Sequence, residues 1–519
     1  MRPAVPLVPA VLELELSGGA GFVPGADLRL AVVASADAAH SASGAAPGAW
    51  ADDGAADLFA TAGAAAALLA AAWGRAVPVV ELDARPGAVV LELVGDREVL
   101  GLTPDVDDAR ASGAYRLEVT TGGARVTALR PAGLVHGTAA LAQAGSGPAS
   151  GDVVVPAMTV RDVPRFGWRG LSLDVARHFL DVTTVRAVID LLASLRLNVL
   201  HLHLTDDQGW RLEIPSRPLL TELSGSTAVD GDPGGFYSVA DFAGIVAYAA
   251  ARGVTVVPEI DLPGHVNAAL HAYGELTPSG DAPAAYTGIE VGFSRLHADL
   301  AATGPFLRAV LGDVIAQTPG PWVHLGGDEV LTMSRVEYSR LLQVAARHVR
   351  TAGKEVVGWQ EVAHADLGPG TVIQYWTHEQ SADDVAAAVR AGARLLLSPA
   401  RRVYLDMKYD ETTPLGLEWA GHIELRDAYD WEPLDVVPGV PESAVVGVEA
   451  ALWSETVHGL DDATFLLLPR LAAVAEVAWS APERRDWDDF TGRCSAHAAR
   501  WEQAGLRWYR SPQVEWDPS

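Results

Sequence analysis

From residue 165 onward the chain repeats one hydrophobic pattern. A short apolar run is followed by a longer stretch with apolar residues three and four apart, and then by another short run. The short runs fall at 170–175, 198–204, 255–260, 322–325, 355–359, 372–376, 394–397 and 445–453. The amphipathic stretches between them include 185–195, 239–252, 306–317 and 335–351. Unbroken apolar runs mark strands buried on both faces, and helical crossovers make such strands parallel. Eight of them predict an α/β fold, with a (β/α)8 TIM barrel over residues 164–480. The chain after Asp461 reads as closing helices with Trp479 and Trp501 packing, and residues 481–519 are expected to form a C-terminal helical extension packed on the barrel.

Residues 1–163 read differently, as a separate N-terminal α+β domain. Residues 12–16 alternate as a strand, and 57–73 and 134–143 are helical. Residues 89–93, 115–119 and 125–128 alternate like antiparallel strands, with Thr121-Gly-Gly123 as the turn between the last two. Residues 144–150, rich in Gly, Ala, Ser and Pro, form the expected linker. This region holds no acid cluster and no histidine pair, so it carries no predicted chemistry.

The 519 residues allow two or three domains and a large core. A net charge of -28 argues against nucleic acid or an anionic membrane as partner. The single cysteine, Cys494, excludes an intramolecular disulfide. No apolar run reaches a membrane span of about 18 residues. The opening Met1-Arg-Pro-Ala-Val-Pro places prolines where a signal peptide has its apolar region, so no leader is evident; a cytoplasmic protein and an exported one with a trimmed leader both fit.

In this fold the active site forms at the C-terminal ends of the strands. Polar or aromatic residues follow all eight predicted strands: Asp174, Arg177 and His178; Asp206, Asp207 and Gln208; Glu259, Asp261 and His265; Asp328 and Glu329; Trp359; Trp376; Tyr404 and Asp406; Trp453 and Glu455. The sharpest stretch is Trp322-Val-His-Leu-Gly-Gly-Asp-Glu-Val330. Its glycines let the backbone bend and a ligand approach, and two neighbouring acids beyond them point different ways, so they can serve different tasks. The plain alternative places Asp328 and Glu329 in the first turn of the following helix.

Several of these motifs resemble one known family, the glycoside hydrolase family 20 β-N-acetylhexosaminidases. The resemblance rests on RFGWRGLSLDVARHF (165–179), HLHLTDDQGWR (201–211), PEIDLPGHVN (258–267), HLGGDE (324–329), YLDMKY (404–409) and LWSE (452–455), and covers roughly residues 155–480 in the family's order. Residues 115–143 also look like the family's accessory domain; Gly167 and His136 are small departures. The resemblance implies an exo-acting enzyme that removes terminal GlcNAc or GalNAc by retaining, substrate-assisted hydrolysis through an oxazoline intermediate. It implies Glu329 as general acid and base, Asp328 as the partner of the acetamido N–H, and Tyr404 as the partner of the acetamido oxygen. Trp359, Trp376 and Trp453 would wall the N-acetyl pocket, while Arg177, Asp406 and Glu455 grip the outer hydroxyls. Asp206, Asp261 and His265 would support Glu329. No cofactor and no metal are implied. The implied partner is an N-acetylhexosamine-terminated oligosaccharide or glycoconjugate, chitooligosaccharides included, acted on by a monomer or homodimer.

Two other readings stay open at this stage. His201, His203 and Asp206 could hold a catalytic metal, since strand-end histidine pairs do so in other barrels. A barrel that binds sugar without cleaving it is the other, against which the complete acid pair, Tyr404 and the gripping residues speak.

Overall fold

The computed structural model describes residues 5–34, 58–81, 85–145, 153–377 and 382–516. Residue 57 of the expected first helix, residues 146–150 of the expected linker and residues 517–519 of the extension lie outside the described residues.

The N-terminal region is a seven-stranded sheet in the order β1-β7-β5-β6-β4-β2-β3. The strands are β1 (Glu13–Leu16), β2 (Leu30–Ala34), β3 (Val79–Glu81), β4 (Ala88–Leu93), β5 (Tyr115–Thr120), β6 (Gly123–Ala128) and β7 (Met158–Asp162). β5 and β6 form the expected antiparallel hairpin, with Thr120 opposite Gly123. Gly123 has φ 137°, and a Cβ there would collide with the Ala88 carbonyl, so the hairpin needs glycine at this point. β4 departs from the expectation: it runs parallel to both β6 and β2. Alternation reports that one face of a strand is covered; it carries no information about the direction of the neighbour. The cover comes from helices Leu58–Trp73 and Pro131–Ala144, which share one apolar cluster with the sheet.

Eight parallel strands close the barrel: β8 (Trp168–Asp174), β9 (Val199–His203), β10 (Thr255–Glu259), β11 (Trp322–His324), β12 (Glu355–Trp359), β13 (Val372–Tyr375), β14 (Arg394–Leu397) and β15 (Val445–Leu452). Trp168, Val199, Val257, Trp322, Val357, Val372 and Leu396 make an apolar layer of their own. Two residues further along each strand the side chain points the same way. His201, Glu259, His324, Trp359, Gln374 and Ser398 therefore form a buried, largely polar layer above the apolar one. This ordering lifts the titratable groups towards the strand ends.

The two regions are joined through Asp162. Its carboxylate accepts from Tyr115 Oη (2.8 Å), Arg196 Nη1 (2.9 Å), Trp479 Nε1 (3.0 Å) and the Leu12 amide (3.0 Å). Trp479 is buried beneath the Arg169 and Arg196 guanidiniums, and the His136 ring meets it edge-on at 5.1 Å. Helices Trp487–Ser495 and Ala498–Gln503 contribute Phe490, Cys494 and Trp501 to the apolar cluster around the barrel. The helix after β11 runs Arg335–Thr351 with Ser334 as its cap, so Asp328 and Glu329 stand outside its first turn.

Candidate active site

A cavity of about 360 Å³ opens at the C-terminal ends of the strands. Arg177, Asp328, Glu329, Trp359, Trp376, Tyr404, Trp419, Trp453 and Glu455 line it, with Ile289, Val291 and Leu417. The lining thus unites expected residues from six of the eight strand ends. Asp206, Asp261, His265 and Asp406 are buried around it without forming its surface.

The acid pair owes its position to the two glycines after β11. Gly326 (φ 65°) and Gly327 (φ 106°) take conformations open to glycine, and a Cβ on Gly326 would collide with the Asp261 carboxylate. The Gly327 amide donates to Asp261 Oδ1 at 3.2 Å. Glu329 itself has φ 51°, and so does His265 at 52°. Left-handed backbone at non-glycine residues costs free energy and collects at functional sites.

His265 lies between the acids. Its Nε2 is 3.3 Å from Glu329 Oε2 and 3.5 Å from Asp328 Oδ2, and its Nδ1 is 3.2 Å from Asp206 Oδ1. Burial opposes a charge on this ring, but Asp206, Asp328 and Asp261 outweigh it and hold its pKa well above the ordinary histidine value. Asp206 is buried too; Arg177 and His265 overcome that and hold it well below the usual carboxylate range. Its Oδ2 sits 2.9 Å from both Arg177 Nη2 and His203 Nε2. Burial pushes Asp328 up to about 6, with Glu329 adding to the shift and His265 opposing it. Asp261 is pushed well above the usual range by burial and then by Asp328.

Beneath these groups Glu259 acts as a buried hub. It accepts from Trp359 Nε1 at 2.8 Å, and His203 Nδ1 lies 2.6 Å away. His201 Nε2 and His324 Nδ1 are each 3.0 Å from it. His201 Nδ1 lies 3.0 Å from Glu449, which also accepts from Trp168 Nε1 (2.7 Å) and Gln374 Nε2 (2.9 Å). Among the described residues, His201, His203 and Asp206 do not gather at one point: His203 joins Glu259 to Asp206, while His201 joins Glu259 to Glu449.

The aromatic wall is tightly ordered. Trp376 stacks on Tyr404 (6.3 Å, 11°), and Trp359 and Trp453 meet at 5.7 Å. Trp453 also lies under the Arg177 guanidinium at 4.9 Å. Trp376 Nε1 donates to Glu361 at 3.3 Å, and Gln360 accepts its backbone N–H at 2.9 Å. Trp419, 55 % exposed, stands edge-on to Trp376 and Tyr404. Sequence reasoning missed Trp419, Gln360 and Glu361. A tryptophan in the long patternless stretch between β14 and β15 was the available signal for the first. The other two adjoin Trp359 and had none.

Buried polar atoms are normally satisfied. Here Asp328 Oδ1, both Asp406 oxygens, Glu455 Oε2 and Arg177 Nε have no hydrogen-bond partner. Burial raises Asp406 well above the usual range, with Glu455 adding to it, and burial raises Glu455 as well, against the pull of Arg177. Acceptors, one guanidinium and flat apolar faces around a single small cavity suit a ring carrying several hydroxyls and an amide.

The comparisons agree with that chemistry. The family model "Glycosyl hydrolase family 20, catalytic domain" matches residues 166–340 and 334–482, and "Glycosyl hydrolase family 20, domain 2" matches residues 4–163. A beta-N-acetylhexosaminidase of Cellulomonas fimi is 58% identical over 435 residues, which is 84% of this chain and 88% of that protein. The structure of Streptomyces plicatus N-acetyl-beta-hexosaminidase in complex with Thio-NAglucal superposes with a TM-score of 0.88 at 39% identity, covering 99% of this chain and 98% of that one. The GH20 beta-N-acetylhexosaminidase from Streptomyces coelicolor A3(2) gives 0.87 at 40% identity, with 99% of each chain covered.

Proposed function

The chain belongs to glycosyl hydrolase family 20, whose members remove β-linked N-acetylhexosamine by retaining, substrate-assisted hydrolysis, and from that premise we propose how its own residues divide the work. Glu329 is the general acid and base: it protonates the glycosidic oxygen and then activates water from the same face. The nucleophile is the substrate's 2-acetamido oxygen, held near C1 by the aromatic pocket of Trp359, Trp376 and Trp453 and by the Tyr404 hydroxyl. Asp328 accepts the acetamido N–H through Oδ1 and balances the positive charge of the oxazolinium. Arg177, Asp406 and Glu455 take the outer hydroxyls. His265, Asp206 and Asp261 hold the acid pair in place. Residues 1–163 are an accessory domain outside the chemistry.

The observation that carries this reading is Asp328 Oδ1, buried without a partner beside Glu329 in a cavity walled by Tyr404 and four tryptophans. A second carboxylate acting as nucleophile needs no amide partner; an acetamido group does. The cavity volume suits one terminal sugar, which supports exo action on N-acetylhexosamine-terminated glycans, chitooligosaccharides included.

The test compares 4-nitrophenyl N-acetyl-β-glucosaminide, its galacto epimer and plain 4-nitrophenyl β-glucoside. The two N-acetyl substrates are expected to turn over, and the plain glucoside to be far slower. Comparable turnover of the plain glucoside would mean that an enzymic carboxylate attacks instead.

A further inference from the structure

Beside the cavity, three side chains from three different loops meet at a point with no role in the hydrolysis. They are His178 after β8, Asp232 in the loop after β9, and His458 after β15. His178 Nε2 and His458 Nε2 each lie 3.6 Å from the same atom, Asp232 Oδ2, and the two imidazole rings are 4.4 Å apart. At 3.6 Å these are not hydrogen bonds. Bonds of about 2.1 Å around a tetrahedral ion set its ligands about 3.4 Å apart, close to this spacing.

The His178 ring is prepared for such a contact. Its Nδ1 stands 2.6 Å from the Ser454 carbonyl oxygen, which can only accept, so Nδ1 carries the proton and Nε2 presents its lone pair. That Nε2 is buried and has no hydrogen-bond partner. Histidines that ligate metals are typically oriented in this way, by a carbonyl or carboxylate on the other nitrogen. The His458 backbone is anchored next to its ring: Asp462 Oδ2 accepts the His458 amide at 3.2 Å and lies 3.6 Å from Nδ1, and Arg507 holds Asp462 at 3.2 Å. The Asp232 and His458 side chains are about half exposed, so an ion can enter and water can complete its shell.

We propose that His178, Asp232 and His458 form a binding site for one divalent transition-metal ion of the Zn²⁺ class. Two imidazoles and one carboxylate suit Zn²⁺, Co²⁺ or Ni²⁺ and do not suit Ca²⁺ or Mg²⁺, which take oxygen ligands. The ion is structural. Neither Asp232 nor His458 lines the cavity, whereas the chain neighbours of His178 and Ser454, Arg177 and Glu455, do. The Val229 amide also donates to the Arg177 carbonyl at 3.0 Å. A bound ion therefore ties together the loops that present two of the sugar-gripping side chains.

The experiment uses the full chain stripped with a chelator and dialysed. Zn²⁺ is added in a calorimetric titration and in a thermal scan, and Co²⁺ is added to record its visible absorption. The expected result is one Zn²⁺ per chain, a Tm raised by a few degrees, and Co²⁺ bands typical of a low-coordinate site. His458→Ala and Asp232→Asn should each abolish all three while leaving the metal-free Tm close to that of the parent. No Zn²⁺ binding by the parent overturns the proposal. So does undiminished binding by both variants, which would place the ion elsewhere, for instance on His265, Asp328 and Glu329.

Discussion

Nε2 of His265 stands 3.3 Å from Oε2 of Glu329, while the other nitrogen of the same ring stands 3.2 Å from Asp206. The ring is hydrogen-bonded to Asp206 and reaches Glu329 without a hydrogen bond, so it stands as a charge beside the Glu329 carboxylate. His265→Asn shortens the side chain and withdraws this support. We expect kcat on aryl N-acetylglucosaminides with poor leaving groups to fall by about 10²-fold, within the range of a general acid's whole contribution. Steady-state rates on a series of leaving groups check this. An equal loss across the series would mean that the histidine supports something other than proton transfer.

The two acids should separate in the same series. On the proposed roles Glu329→Gln removes the proton donor, so its effect should be steep: about 10²–10⁴-fold for poor leaving groups, and much less for the first step with a dinitrophenolate. Asp328→Asn keeps shape but loses the charge proposed to face the oxazolinium. It should slow formation of the intermediate by about 10²–10³-fold whatever the leaving group. Plots of log kcat/KM against leaving-group pKa should therefore be steep for the first variant and parallel to the parent for the second. Matching slopes in the two variants would overturn this division.

A third expectation contrasts two buried glutamates. Glu259 holds Trp359 and His203; Glu449 holds Trp168, His201 and Gln374, none of which lines the cavity. An amide in place of either carboxylate cannot accept from all of these donors, so Glu259→Gln and Glu449→Gln should each cost about 3 kcal/mol of stability. Only Glu259→Gln shifts a wall of the N-acetyl pocket, and misplacement of that kind is worth about 10²-fold in rate. Urea unfolding together with kcat/KM distinguishes the two. Equal activity losses would show that the network acts through stability alone.

How much of this was legible beforehand differs between the parts of the molecule. The barrel strands could be read because each is a continuous apolar run between amphipathic helices, and their ends carried the reactive side chains into view. His201 and His203 could be placed on one face of a strand by their spacing, but their partners could not. Glu449 lies 248 positions from His201, and no local pattern links them. Asp406 was expected among the gripping residues yet forms no part of the cavity surface, because strand-end position does not set depth. In the N-terminal sheet β2, β3 and β7 were missed and β4 was given the wrong direction, since pairing there depends on crossovers that alternation does not encode.

Asp406 also gives an expectation about pH. It is buried, neither oxygen has a hydrogen-bond partner, and burial reinforced by Glu455 raises its pKa well above the usual carboxylate value. In the unfolded chain this group ionises near the ordinary value of about 3.9. A carboxyl raised in the folded state favours folding most below that pH, and its contribution is lost as pH rises towards the folded value. The unmutated protein therefore loses stability over this window at up to about 1.4 kcal/mol per pH unit from this one group. Asp406→Asn has nearly the same shape and no ionisation. Its Tm should match the parent's near pH 4 and exceed it increasingly as pH rises to neutrality, while its KM for N-acetylglucosaminides rises because a hydroxyl partner has been weakened. Thermal scans of both proteins between pH 4 and 8 measure the gap. A difference in Tm that stays constant across that range would show that Asp406 ionises normally in the fold.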